Sequence, residues 1–130
     1  MDDMLQAARA VQERAYAPYS KFRVGAVLRG AGGALHAGCN VENVAYPQSQ
    51  CAEATAIGVM VAMGETRIAE ILVLGSGPEL ISPCGGCRQR LAEFSAPDTP
   101  VYLCGPEGLI ETTTVGELLP LAFTQRSLAP

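Results

Sequence analysis

The run Ile71-Leu72-Val73-Leu74 presents apolar side chains to both faces of any strand it forms. Such a strand needs cover on both sides, which places it inside a sheet sandwiched between other elements. A helix is predicted over 84–94, and a second apolar strand follows at Val101-Tyr102-Leu103-Cys104-Gly105. Strand-helix-strand order implies parallel pairing through a right-handed crossover. Upstream, Phe22, Val24, Ala26 and Leu28 alternate with Arg23, Gly25 and Val27, which reads as a strand. Gly30-Ala31-Gly32-Gly33 supplies a turn, and 34–41 returns antiparallel. Met4, Ala8, Val11 and Ala15 recur at helical spacing and predict a helix ending at Ala17-Pro18. A second helix is expected over 50–63 with Gly64 as its stop, and a short one at 115–119, broken by Pro120. The reading is a single α/β domain over 1–130: a mixed sheet of about five strands with helices on both faces.

Composition removes several function classes. Net charge is −4, and nine Lys and Arg residues are scattered along the chain. A phosphate backbone is bound through clustered cations, so nucleic acid is not an expected partner. No apolar run approaches the roughly 20 residues of a membrane span. Met1-Asp2-Asp3 lacks the basic and apolar regions of a secretory signal, so the expected location is the cytoplasm.

Five cysteines are present, an odd number, and a cytosolic chain favours metal over disulfides. Three of them lie in two short motifs, Cys51-Ala52-Glu53 and Pro83-Cys84-Gly85-Gly86-Cys87. Three thiolates on Zn²⁺ leave the fourth tetrahedral position for water, the property of a catalytic site. Glu53 lies two residues from a ligand, within reach of the same centre for proton transfer. Both motifs fall at expected helix starts, where unpaired N–H groups stabilise anions and lower thiol pKa values. Competing readings are a redox Cys84-x-x-Cys87 pair, which leaves Cys51 and Glu53 without a role, and a structural four-cysteine zinc using Cys39 or Cys104. Those two cysteines are otherwise expected to be small buried side chains. His36, the single histidine, lies away from both motifs and is expected to be structural or superficial.

The (His/Cys)-x-Glu and Pro-Cys-x-x-Cys pair resembles the zinc-dependent cytidine deaminase family. Further segments resemble its small homotetrameric members: Ala17-Pro18-Tyr19-Ser20-Lys21-Phe22-Arg23-Val24-Gly25-Ala26, Asn40-Val41-Glu42-Asn43, Ser82 to Gln89, and Leu118 to Phe123. The resemblance implies a three-layer fold and hydrolysis of cytidine and deoxycytidine to the uridines, a pyrimidine salvage reaction. It assigns Cys51, Cys84 and Cys87 to one Zn²⁺ per chain, with zinc hydroxide attacking C4 and Glu53 shuttling protons. Phe22 would stack on the pyrimidine, Asn40 and Glu42 would bind the ribose, and the N–H of Ala52 would meet the base carbonyl. Tyr46 and Phe123 would complete active sites shared between the subunits of a homotetramer.

Two departures stand out. Many relatives carry Arg after the catalytic Glu, bonded to the ligand thiolates, where this chain has Ala54. Arg88 or Arg90 is the expected replacement, and Arg88 the first choice. Relatives often have Gly after the tyrosine, where Pro47 stands here. The alternatives to cytidine deamination are action on another aminopyrimidine nucleoside such as blasticidin S, and a non-catalytic zinc-stabilised module.

Overall fold

A computed structural model describes residues 1–128. Helix α1 (Asp2–Gln12) leads to strand β1 (Val24–Gly30) and its hairpin partner β2 (Leu35–Cys39). A 3₁₀ turn at Tyr46–Gln48 precedes helix α2 (Ala52–Ala62). Strand β3 (Ile68–Gly75), helix α3 (Gly85–Glu93) and strand β4 (Pro100–Gly105) form the crossover. Strand β5 (Gly108–Thr114) and helix α4 (Val115–Leu118) follow. The sheet runs β2-β1-β3-β4-β5, parallel between β3 and β4 and antiparallel elsewhere.

Alternation along the central strands divides the core in two. Val27, Leu72 and Leu74 pack with Met4 and Ala8 of α1. Ala26, Leu28, Ile71 and Val73 face the other way, against Ala56 and Met60 of α2 and Leu91 of α3. The result is the expected three-layer arrangement, with both faces of the apolar run covered. Helix α2 lies hard against β2: a Cβ on Gly38 would sit 2.3 Å from the backbone N of Ala56 and 2.8 Å from the carbonyl of Ala52. Glycine at that point lets the first turn of α2 rest on the sheet and fixes where Cys51 and Glu53 begin.

Several expectations need correction. The first helix stops at Gln12, not Ala17, because the Tyr16 backbone is claimed elsewhere: its N–H donates to the Asn40 carbonyl (3.0 Å) and its carbonyl accepts from Glu42 N–H (2.9 Å). Phe22 precedes β1 instead of opening it, since Lys21 takes a left-handed conformation (φ 62°). Strand β5 was not expected from its Glu111-Thr112-Thr113-Thr114 half, which lies on an exposed edge without apolar alternation. Gly64 does terminate α2, at φ 92°. Pro47 occupies the first turn of the 3₁₀ helix, where a missing N–H leaves no bond unmade. His36 is structural, buried with its Nε2 2.7 Å from Glu65 Oε1.

Candidate active site

The end of the sheet where β2 and β3 finish and β1 begins is the crevice at the carboxyl ends of the parallel pair, the usual ligand position in open α/β sheets. Cys51 is the N-cap residue of α2 and Cys84 that of α3, so both helices aim their N-termini at one point. Cys87 enters from the first turn of α3, fully buried. The three sulfurs lie within 4.8 Å of one another, and Cys51 Sγ is 3.7 Å from Cys84 Sγ. Two ligands about 2.3 Å from a tetrahedral zinc sit about 3.8 Å apart, so this spacing suits a zinc-thiolate set. All five cysteines are free thiols. Cys104 is buried in the α1-side core and Cys39 half-buried on β2; neither joins the cluster.

Helix starts do not lower all three thiol pKa values. The nearby Cys87 backbone N–H lowers that of Cys84, while burial raises those of Cys51 and Cys87. Metal binding must therefore displace protons from the two deeper sulfurs. Glu53, in the first turn of α2, is 5 % exposed. Burial raises its pKa, and the Arg90 charge pulls it partly back.

A cleft of about 390 Å³ opens over this cluster, within the size range of small-molecule sites. Phe22, Asn40, Glu42, Ala52 and Glu53 line it, with Cys51 and Cys84 at its floor. Asn40 accepts from Val24 N–H (2.9 Å) and donates to the Phe22 carbonyl (2.9 Å), pinning the segment that carries the aromatic ring. Glu42 Oε1 accepts the N–H groups of Tyr19 and Ser20 at 3.0 and 3.1 Å, and its Oε2 accepts the Ser20 hydroxyl. These bonds, the Ser20 hydroxyl first, hold the Glu42 pKa below its ordinary value.

Tyr46 and Phe123 stand apart from the thiols. Tyr46 is 71 % exposed and meets Tyr19 edge-on, with ring centroids 6.1 Å apart, beside a hollow adjoining Glu42. Phe123 is 60 % exposed, and its carbonyl accepts from Gln89 Nε2. Arg88 corrects a further expectation. Its guanidinium donates to the Pro83 carbonyl (2.7 Å), the Leu118 carbonyl (2.8 Å) and Ser82 Oγ (2.8 Å), which leaves it braced against the loop before Cys84 and away from sulfur. Ile81, a cleft wall, and Ser20, the anchor of Glu42, were not singled out from sequence; Ile81 carries no motif signal, whereas Ser20 lies inside a segment that resembled the family.

Residues 1–103 match the family described as the cytidine and deoxycytidylate deaminase zinc-binding region. The chain belongs to this family. A cytidine deaminase of Sporosarcina psychrophila is 42 % identical over 129 residues, covering 99 % of this chain and 95 % of its own. One from Halalkalibacterium halodurans is 41 % identical, covering 98 % of each chain. Among solved structures, cytidine deaminase from Burkholderia pseudomallei superimposes with a TM-score of 0.88 at 43 % identity, covering 94 % of this chain and 98 % of that one. The family is a zinc-binding one, and the three-thiol cluster fits that metal.

Proposed function

We propose that this chain deaminates cytidine and deoxycytidine by hydrolysis, releasing ammonia and the corresponding uridine. The observation that carries this reading is a cluster of three thiols, two of which line one nucleoside-sized cleft together with a buried carboxyl. Cys51, Cys84 and Cys87 would hold zinc, which when bound supplies Lewis acidity that brings the pKa of a water near roughly 7. Glu53 takes one proton from the attacking water and delivers it to N3 of the cytosine ring. It then takes the remaining proton from the new C4 hydroxyl and passes it to the amino group, which leaves as ammonia as the C4 carbonyl forms. A carboxyl whose pKa is raised by burial suits both directions of that transfer.

Substrate binding follows from the hydrogen-bond inventory. A carboxylate has about four acceptor sites, and Glu42 has committed three. Its remaining lone pair, and the free N–H and lone pair of Asn40, would meet ribose hydroxyls. Phe22 packs against the base, and Ala52 N–H at the start of α2 donates to its carbonyl. Among the described residues no Lys or Arg lines the cleft, so a 5′-phosphate would lack a counter-charge there. That favours nucleosides over deoxycytidylate.

The exposed rings of Tyr46 and Phe123 support an assembly in which neighbouring copies complete each cleft, in a tetramer of closed symmetry. Pyrimidine salvage in the cytoplasm is the setting that fits this activity, and no described helix is long and apolar enough to cross a membrane. Loss of ultraviolet absorbance from cytidine, with zinc measured on the same sample and mass by light scattering, tests the reading. Turnover at about one zinc per chain is expected; full zinc with no turnover of cytidine or deoxycytidine overturns it.

A further inference from the structure

We infer that Arg90 is a positioning residue of the metal centre, donating to the most deeply buried ligand and offsetting the negative charge of the thiolate set. This rests on the zinc reading above. Three thiolates on a divalent ion leave one net negative charge, and the Glu53 carboxylate adds a second. The helix starts relieve this unevenly. Cys84 sits at the N-cap of α3 beside the Cys87 N–H, and borders the open cleft. Cys87 lacks that solvent access: it is fully buried and does not line the cleft. A buried anion without a compensating donor is costly.

Arg90 lies one turn further along α3, where i,i+3 side chains meet. Its Nη1 is 3.7 Å from Cys87 Sγ, within the range of a sulfur hydrogen bond. Among the described residues no other Lys or Arg donates to a ligand sulfur. Gly86 keeps the approach open, since a Cβ there would stand 3.2 Å from that same Nη1. Arg88 cannot substitute, with its guanidinium spent on Pro83, Leu118 and Ser82.

The test compares wild type with Arg90→Met, which keeps an apolar stem, and Arg90→Lys, which keeps the charge. Zinc affinity is read by chelator competition, zinc-free stability by urea unfolding, and sulfur donation by the thiolate-to-cobalt absorption band of cobalt-loaded protein. Arg90→Met is expected to weaken zinc about ten-fold or more, the scale of one charge-assisted bond. Its cobalt band should move to lower energy, because a sulfur that loses a donor gives up electrons more readily. Arg90→Lys should retain most of the affinity. Unchanged zinc affinity and cobalt band in Arg90→Met overturn the inference. So does a loss of zinc matched by an equal loss of zinc-free stability, which would mark a packing role. Wild-type protein that binds no zinc would overturn the zinc reading itself, a separate result.

Discussion

The two faces of the sheet handle polar groups in opposite ways. On the α1 face the buried contacts are apolar, and charge is kept at the rim. There Arg29 bridges Asp3 (2.9 Å) and Glu70 (2.6 Å), and Tyr102 donates to Glu70 (2.8 Å). On the α2–α3 face a carboxyl and thiols are buried at the helix starts, where two of the thiol pKa values and that of Glu53 are pushed away from the charged form. One face holds the layers together at little electrostatic cost. The other stores unfavourable ionisation that a metal and a proton transfer can use.

The contrast can be broken most severely at Cys87. Cys87→Ala should leave dialysed protein without stoichiometric zinc and without turnover, checked by metal analysis and absorbance. Glu53→Gln comes next: turnover should fall by about 10²–10⁴-fold, the usual contribution of a general acid–base group, with zinc content unchanged. The same variant sharpens the comparison through pH. Because burial raises the folded pKa of Glu53, its neutral form is favourable at low pH, and that contribution is lost as pH rises through the folded value. Zinc-free Glu53→Gln should therefore melt higher than zinc-free wild type at pH 8, with the gap closing near pH 4.

The α1 face should respond in the reverse pattern. Leu72→Ala removes a fully buried side chain and should cost about 2–5 kcal/mol by urea unfolding, with zinc content preserved. The smallest effect belongs to the rim. Arg29 beside Asp3 holds its carboxyl down at about 2, against an ordinary 3.8. The stabilising contribution is present above the ordinary value and lost as pH falls through the lowered one. Asp3→Asn should be slightly less stable than wild type at neutral pH, with the difference shrinking toward pH 2.

Much of this division was legible in the sequence. The double-sided apolarity of 71–74 determined the layers, and the thiol and Glu53 spacings marked the reactive helix starts. What escaped was set by contacts between distant segments. Helical periodicity runs through Ala15, but the Asn40–Glu42 segment captures the Tyr16 backbone and ends the helix early. Phe22 alternates correctly with β1, yet a side-chain amide, not a ladder, holds it in place. Position beside Cys87 made Arg88 the natural partner for sulfur. Helical geometry instead turns Arg88 toward Pro83 and Leu118 and brings Arg90 round to the thiol. Edge strand β5 pairs with β4 through its backbone, with little to announce it in its side chains.

The grading of the three ligands, from exposed Cys84 through half-buried Cys51 to buried Cys87, also gives metal exchange a direction. The two outer sulfurs border the cleft and the third lies beneath them, so a chelator approaches through the opening that admits the nucleoside. Occupancy should then act as a stopper: an enzyme busy with substrate surrenders its zinc more slowly than an idle one, and scarcity of nucleoside exposes it to competition for metal.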